Sequence, residues 1–197
     1  MTFIFDKETI TGHDSYFQIM RMIADLNIDV SKDRSFQKSF VGYYFAGPKP
    51  QAFRDFYFSY MQQCRCVHPS YTEILQSVYD HTGEVHYSLS SKLLHTLDPD
   101  NPILDRHVMR LLGFALLDSS HTDASARINY YGSVFDTISA EYKQYKDTPF
   151  MKEAIERFDA LSPVFRCIPY TKKVDMLLFR LRNERGASVL DYLFETY

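Results

Sequence analysis

The sequence predicts a mostly α-helical fold, a compact orthogonal bundle of roughly eight helices with a short N-terminal arm or edge over residues 1–14. Apolar residues recur at three- and four-residue steps along most of the chain, and strand-like alternation is scarce after residue 45. Proline and glycine turns separate these stretches. Because 197 residues can bury a proper core, we expect one helical domain over 1–197, with two lobes meeting near 118–124 as the alternative.

The first helix is predicted to begin near Ser15, because Tyr16 and Ile19 start an apolar face at helical spacing. Asp14 or Ser15 is the expected N-cap. The aromatic-rich residues 35–45 fit either a second helix or a short strand, and the Gly-Pro-Lys-Pro turn that follows ends it.

Apolar spacing and turn residues place the remaining helices. His68-Pro69-Ser70 ends one helix and caps the next, Gly83 is a stop or tight turn, and Thr171 is the expected cap of the last helix. The predicted helices cover 51–64, 71–83, the run that ends at Asp98, 105–117, 126–146, 150–162 and 171–184.

The composition is that of an ordinary globular protein. The hydrophobic fraction is 45% and the charged fraction 24%, which argues against disorder. A net charge of −3 gives no global attraction to nucleic acid or anionic membrane, although a local basic groove stays open. No apolar run approaches the roughly 20 residues of a membrane span, and no signal-peptide layout is present. We therefore expect a cytoplasmic protein with no membrane partner.

The three cysteines indicate reduced thiols rather than a disulfide framework or a metal centre. Cys64, Cys66 and Cys167 could combine with His68, but the spacing matches no common zinc pattern. We expect neither a metal site nor a cofactor.

The stretch from Ser90 to Gly113 is the most organised part of the chain. A helix-like run stops at Asp98-Pro99-Asp100-Asn101-Pro102, and the next helix opens at Asp105. Helix N-termini expose unpaired N–H groups, so Asp105 fits an N-cap that contributes about 1 kcal/mol. A carboxylate held there is also stabilised as an anion and could offset a nearby positive charge. The residue pattern alone favours the cap.

The segment Pro102–Gly113, PILDRHVMRLLG, resembles the end of the active-site region in the helix-hairpin-helix DNA glycosylase superfamily, which includes endonuclease III and the adenine-mismatch glycosylases. In that superfamily a glycine-containing hairpin is followed by a helix, a proline-containing turn and an Asp that opens another helix. Asp105 matches that Asp, and Val108 matches the apolar residue three positions on. The resemblance implies a DNA-glycosylase-like fold and a catalytic role for Asp105.

The segment HTGEVHY, His81–Tyr87, falls on the hairpin of that superfamily. Gly83 matches the first hairpin glycine, whose lack of a side chain lets backbone N–H groups approach a DNA phosphate. Val85 replaces the second glycine, and Tyr87 replaces the lysine of the bifunctional members. The resemblance supports the fold more strongly than it supports DNA contact, and it is strongest over residues 70–118. The expected nucleic-acid-binding residues are Gly83, His86, Tyr87, Arg106 and Arg110.

Lys92 and His95 are further catalytic candidates within Ser91-Lys92-Leu93-Leu94-His95. A lysine with a lowered pKa can attack the sugar C1′ as an amine, with Asp105 stabilising the cationic intermediate. His95 could hold a water for the same attack. Lys92 is not at the superfamily's lysine position, and the alternative is an exposed amine or a lysine paired with Asp98 or Asp105.

Five of the seven histidines lie within 41 residues, but none of their spacings gives HExxH or another tight ligand motif. Ordinary surface or core histidines explain this set better than a metal-dependent hydrolase, which is the least favoured of three functional hypotheses. The five are His81, His86, His95, His107 and His121.

The C-terminal segment Ile168–Leu181 resembles the ends of uncharacterised bacterial proteins that also carry a Ser-Lys-x-Leu-His…Pro-Ile-x-Asp segment, which suggests a divergent branch of the superfamily. Its basic residues could form a phosphate-contacting strip, or they could be ordinary solvated helix charges. These residues are Lys172, Lys173, Arg180, Arg182 and Arg185.

Two functions follow as expectations. The first is a DNA glycosylase-like nucleic-acid-binding protein that cleaves the N-glycosidic bond of a damaged or mismatched base after base extrusion. The second is a catalytically inactive helical interaction module on the same fold, with a protein as its partner. A positive groove around residues 81–110 favours the first function, and a neutral aromatic patch favours the second.

Overall fold

A computed structural model describes residues 13–45 and 47–181, and within them the chain is a compact all-α bundle, as the sequence predicts. The predicted N-terminal arm falls almost wholly outside the described residues. Nine α-helices follow one another, with a short 3-10 helix before the last: α1 His13–Ala24, α2 Arg34–Tyr44, α3 Gln51–Val67, α4 Tyr71–Thr82, α5 Tyr87–Leu97, α6 Arg106–Leu111, α7 Ala124–Tyr145, α8 Pro149–Ala160, the 3-10 helix Pro163–Cys167 and α9 Tyr170–Leu181.

Side-chain caps fix where several helices begin. Ser70 and Glu73 form a capping box at the start of α4, as the His68-Pro69-Ser70 turn predicts. Asp33 accepts a hydrogen bond from the Phe36 N–H, so residues 35–45 form a helix and not a strand. Such caps satisfy N–H groups that the first turn of a helix leaves unpaired.

Two predicted caps are wrong, and in both cases the helix begins earlier than expected. α1 starts at His13, so Asp14 and Ser15 lie inside its first turn. α9 starts at Tyr170, so Thr171 is a helical residue whose hydroxyl donates to the Asp100 carbonyl at 3.2 Å. That hydroxyl therefore joins two distant parts of the chain instead of closing its own helix.

The helix predicted over residues 105–117 is much shorter in the structure. α6 ends at Leu111 because Gly113 adopts a left-handed conformation with φ +79°, and the Phe114 N–H turns back to the Met109 carbonyl. The following segment is held against α7 by Tyr131, whose hydroxyl accepts from the Leu117 N–H at 3.3 Å.

One large apolar core takes in residues from all nine α-helices, and a smaller cluster joins α1 to α8 and the 3-10 helix. Stacked aromatic pairs bridge the helices, with Tyr71 on Phe135 and Tyr87 on Tyr131 at ring-centroid distances of 4.2 and 4.3 Å. Helices on both sides of residues 118–124 contribute to the large core. No helix in the described ranges is long and apolar enough to cross a membrane.

Candidate functional site

The candidate site begins at the hairpin between α4 and α5. Gly83 closes α4 in a left-handed conformation with φ +71°, as the sequence predicts for a helix stop. Its N–H donates to the Tyr79 carbonyl at 2.7 Å, and the Glu84 N–H donates to the Thr82 hydroxyl at 3.2 Å. Both amides are therefore used within the hairpin itself.

The turn between α5 and α6, residues 98–105, is pinned by hydrogen bonds from distant elements. Ser91 of α5 accepts from the Leu104 N–H through its hydroxyl at 2.9 Å. Asp175 of α9 accepts from the Ile103 N–H at 3.2 Å. Because buried backbone groups must be paired, these bonds fix the path of the chain up to Asp105.

Asp105 is the N-cap of α6, as the sequence predicts. Its Oδ1 atom accepts from the His107 N–H at 2.7 Å and from the Val108 N–H at 2.9 Å. The partly buried carboxylate lies close enough to Lys92 for its charge to favour the protonated amine there. Asp105 is therefore both a helix cap and a charged neighbour of the candidate nucleophile.

Lys92 projects from the middle of α5 and is partly buried, not freely exposed. Its Nζ atom donates to the backbone carbonyl of Tyr44 at 2.8 Å, and among the described residues no ion pair joins it to Asp98 or Asp105. The pKa of Lys92 is lowered to about 8, mainly by burial, with Asp105 opposing the shift and the Lys172 charge adding to it. Near pH 8 a substantial fraction of this amine is neutral and nucleophilic.

His95 lies fully buried one turn beyond Lys92. Its Nδ1 atom is 2.6 Å from the Asn101 carbonyl, which only accepts, so we place the proton on Nδ1. Burial and the Lys172 charge lower the pKa of His95 to about 3, and its Nε2 atom has no hydrogen-bond partner in the described structure. His95 is thus a neutral imidazole that secures the turn, three residues along the same helix from Lys92.

Asp175 is a site residue that the sequence reasoning did not single out. It is fully buried between the Ile103 N–H and the Tyr142 hydroxyl, which donates to it at 2.9 Å. Burial raises the pKa of Asp175 to about 7, with Lys172 opposing the shift. The Lys-x-Asp pattern in the C-terminal segment is the signal that could have identified it.

The predicted basic strip on the last helix is wrong for its first two residues. Lys172 is only 4% exposed and its Nζ atom lies over the rings of Tyr16, Tyr43 and Tyr44, at 5.1, 5.3 and 5.6 Å from their centroids. Lys173 is 5% exposed and pairs with Asp159 at 2.6 Å. The side chains of Arg180, Arg182 and Arg185 lie outside the described residues.

The expected nucleic-acid-binding residues divide into two groups. Tyr87 interacts electrostatically with Asp105, Arg106 and Arg110, so these four residues lie near one another. Both arginines are exposed. Burial raises the pKa of the Tyr87 hydroxyl to about 12. Gly83 lies on the hairpin, with its amide already used by the end of α4.

His86 belongs with the hairpin. Its ring meets the Phe53 ring edge-on at 4.9 Å, and its Nε2 atom is 3.4 Å from a Glu84 carboxylate oxygen. Burial and nearby Lys49 lower the pKa of His86. This histidine is therefore mostly an aromatic packing residue at the base of the hairpin.

The other histidines are dispersed. His81 stacks on Phe56 with a centroid distance of 3.7 Å, and His121 is exposed beside Asp118. In the part of the chain that the structure describes, no group of three or more His, Cys, Asp or Glu side chains could hold a metal ion. The metal-dependent hydrolase hypothesis therefore gains no support from the geometry.

Comparison with known proteins found no match: no family model, no curated protein and no solved structure matches the chain.

Proposed function

We propose that the protein is a glycosylase-like enzyme that acts on nucleic acid through the amine of Lys92, with Asp105 as the charge-stabilising carboxylate. The carrying observation is the meeting of these two side chains. They come from different elements and are close enough to interact electrostatically, yet no direct ion pair neutralises the amine in the described structure. A nucleophile and a carboxylate that lie near each other can act on one sugar.

The chemistry requires only these two groups and water. The neutral Lys92 amine attacks C1′ of the sugar, the C1′–N bond breaks, and the base leaves with its electron pair and takes up, through water, the proton that the attacking amine loses. The Asp105 charge offsets the positive charge that develops at C1′. The attached amine then opens the sugar ring to a Schiff base, which water hydrolyses.

The order of elements around the site supports the same proposal. A hairpin opened by Gly83, a helix, a turn containing Pro99 and Pro102, and a helix capped by Asp105 follow one another, which is the order that the resemblance implies. The lysine is displaced from position 87 to position 92, and Tyr87 stacks on Tyr131 instead.

Phosphate contact fits the exposed arginines better than the hairpin. The charges of Arg106 and Arg110 act on Tyr87, as that of Asp105 does, whereas the hairpin amides of Gly83 and Glu84 are used internally. Arginine pairs well with phosphate oxygens, so a backbone held there would place a sugar near Lys92.

The test is borohydride trapping on an oligonucleotide with one abasic site. The abasic aldehyde and an amine form a Schiff base with loss of water, and borohydride reduces it to a stable protein–DNA adduct. We expect the wild type to give this adduct and Lys92→Met to give none. Asp105→Asn keeps the helix cap and should still form the adduct, because an abasic site has no C1′–N bond to break, whereas its release of a base from an intact nucleotide should fall at least tenfold.

The matched control is Lys143→Met, because Lys143 is an exposed lysine on α7. It should give as much adduct as the wild type. Equal trapping by Lys92→Met and the wild type would contradict Lys92 as the nucleophile. Binding should also weaken steeply with salt, and Arg106→Gln with Arg110→Gln should reduce that salt dependence more than Arg166→Gln.

The second candidate function is a catalytically inactive interaction module. The observation that favours it lies in the hairpin, where Glu84 brings an exposed negative charge and Val85 packs toward the core in place of a second glycine. This candidate predicts no binding to duplex or abasic DNA even at low salt, and no adduct from any variant.

A further inference from the structure

Tyr44, the last residue of α2, contacts two lysines from different helices. Its backbone carbonyl accepts from Lys92 Nζ at 2.8 Å, and its ring lies 5.6 Å from Lys172 Nζ. One tyrosine thus holds two ammonium groups near each other inside the protein, where like charges repel strongly because water is largely excluded.

The Nζ atom of Lys172 contacts aromatic rings and not a carboxylate of the described residues. Its Nζ atom lies 5.1 Å from the ring centroid of Tyr16 and 5.3 Å from that of Tyr43, and no ion pair to Lys172 occurs within the described ranges. The faces of these rings carry negative charge density, so they stabilise a cation without neutralising it.

The carboxylate nearest in sequence does not neutralise Lys172 either. Asp175 directs its oxygens to the Ile103 N–H and the Tyr142 hydroxyl. His95, which also feels the Lys172 charge, is a neutral imidazole held at the Asn101 carbonyl. Asp175 interacts with the Lys172 charge without forming an ion pair with it in the described structure, and that charge also acts on Lys92.

We propose that Lys172 is a positioning residue for the Lys92 amine: its ammonium, held by aromatic rings, lies on the other side of Tyr44 from Lys92 and shifts that amine toward the uncharged, nucleophilic form. This proposal rests on the function proposed above for Lys92. A neighbouring cation is an established means of activating a lysine nucleophile. The rings hold that cation on α9, while the amine that it acts on lies on α5.

The charges around Lys92 come from three elements. Asp105 at the start of α6 favours the ammonium form, Lys172 on α9 disfavours it, and the Tyr44 carbonyl at the end of α2 accepts a hydrogen bond from it. Removing the Lys172 charge leaves burial alone to oppose Asp105. The balance should then shift toward the protonated, unreactive amine.

The experiment measures the protonation of Lys92 directly by NMR in protein labelled at the lysine Cε, with the signal assigned from Lys92→Met. In Lys172→Met and Lys172→Gln we expect the pKa of Lys92 to rise by about one unit, so that its neutral fraction at pH 7 falls roughly tenfold. Lys172→Arg keeps the charge and should leave the Lys92 titration near that of the wild type.

Lys173→Met is the matched control, because Lys173 is equally buried on the same helix but is paired with Asp159. It should not move the Lys92 titration. The proposal is overturned if both Lys172→Met and Lys172→Gln titrate like the wild type, or if Lys173→Met shifts Lys92 as much. If Lys172→Met does not fold, Lys172→Gln gives the same comparison.

The trapping assay separates this proposal from the proposed function. If wild-type protein forms no adduct while the Lys92 titration still moves with Lys172, the function fails and the positioning role stands. The other outcome is that the adduct forms but the pH dependence of the trapping rate of Lys172→Gln is not displaced to higher pH. In that case the positioning role fails and the function stands.

Discussion

Ser91 and Leu104 are joined by a buried hydrogen bond that fixes the residue immediately before Asp105. The Ser91 hydroxyl accepts from the Leu104 N–H at 2.9 Å, and it also lies 3.3 Å from the Leu104 carbonyl oxygen. Because Ser91 directly precedes Lys92, this one contact relates the position of the candidate nucleophile to that of the candidate carboxylate.

Ser91→Ala should lower the free energy of unfolding by about 1–3 kcal/mol, because it leaves the buried Leu104 N–H without an acceptor. Urea denaturation measures the change. The neighbouring Ser90 is equally buried, but its hydroxyl has no hydrogen-bond partner in the described structure, so Ser90→Ala should cost much less. Equal losses in the two variants would show that burial alone, and not the bond to Leu104, accounts for the effect.

Gly83→Ala should lower the free energy of unfolding by about 1 kcal/mol, because φ is +71° there and a Cβ atom strains that conformation even though it meets nothing within 4 Å. Gly42 is a useful comparison, since a Cβ atom there also meets nothing within 4 Å but the residue is inside α2. Gly42→Ala should therefore raise the stability by about 0.5–1 kcal/mol. Thermal unfolding of both variants measures the two changes in stability. A Gly83→Ala variant that is more stable than the wild type would contradict the left-handed turn at this residue.

Lys92→Met should leave the protein at least as stable as the wild type at pH 7, with a gain of about 1 kcal/mol. Burial lowers the pKa of Lys92 to about 8, so below pH 8 the folded protein carries a buried ammonium that costs stability. Methionine removes that cost but leaves the Tyr44 carbonyl without its donor.

The advantage of Lys92→Met should shrink as the pH rises from 8 toward 10, because the folded wild type then loses the proton and with it the penalty. Denaturation at several pH values measures this. Lys143→Met, which changes an exposed lysine, should show no such dependence on pH. A gain that is constant up to pH 10 would contradict the lowered pKa.

His95→Asn should become more stable relative to the wild type as the pH falls from 7 to 5, by about 1.4 kcal/mol for each pH unit below the ordinary histidine pKa. Burial lowers the pKa of His95 to about 3, so its neutral form stabilises the fold above about pH 6.5. That contribution is lost as the pH falls toward 3, because the unfolded chain takes up the proton first.

Asp175→Asn should show the opposite trend. Burial raises the pKa of Asp175 to about 7, so its contribution to stability is complete below the ordinary Asp pKa and is lost as the pH rises to 7. The variant should gain relative to the wild type as the pH increases from 4 to 7. Parallel trends for His95→Asn and Asp175→Asn would contradict these assignments.

The sequence predicted local features well, because short-range rules govern them. The all-α fold, the capping box at Ser70, the stop at Gly83 and the cap at Asp105 all depend on a few neighbouring residues. The prediction of a helix up to residue 117 is wrong. The apolar spacing of the sequence continues past Gly113, but the backbone has already turned out of the helix there.

The long-range features of the site could not be predicted from one sequence. Lys172 was placed on a basic surface because lysine is almost never fully buried, and nothing near it in the chain shows that rings from α1 and α2 enclose it. Asp175 was missed for the same reason, since its partners at Ile103 and Tyr142 are 72 and 33 residues away in the chain.

These distant partners determine how late in synthesis the candidate site can form. The turn that carries Asp105 waits for Thr171 and Asp175, which a ribosome adding about 5–20 residues per second supplies roughly 4–14 s later. Until then the nascent chain has its capped helices, but Asp105 and Lys92 are not yet held in their final relative positions. A chain truncated before α9 would therefore keep much of its helical content and lack the site.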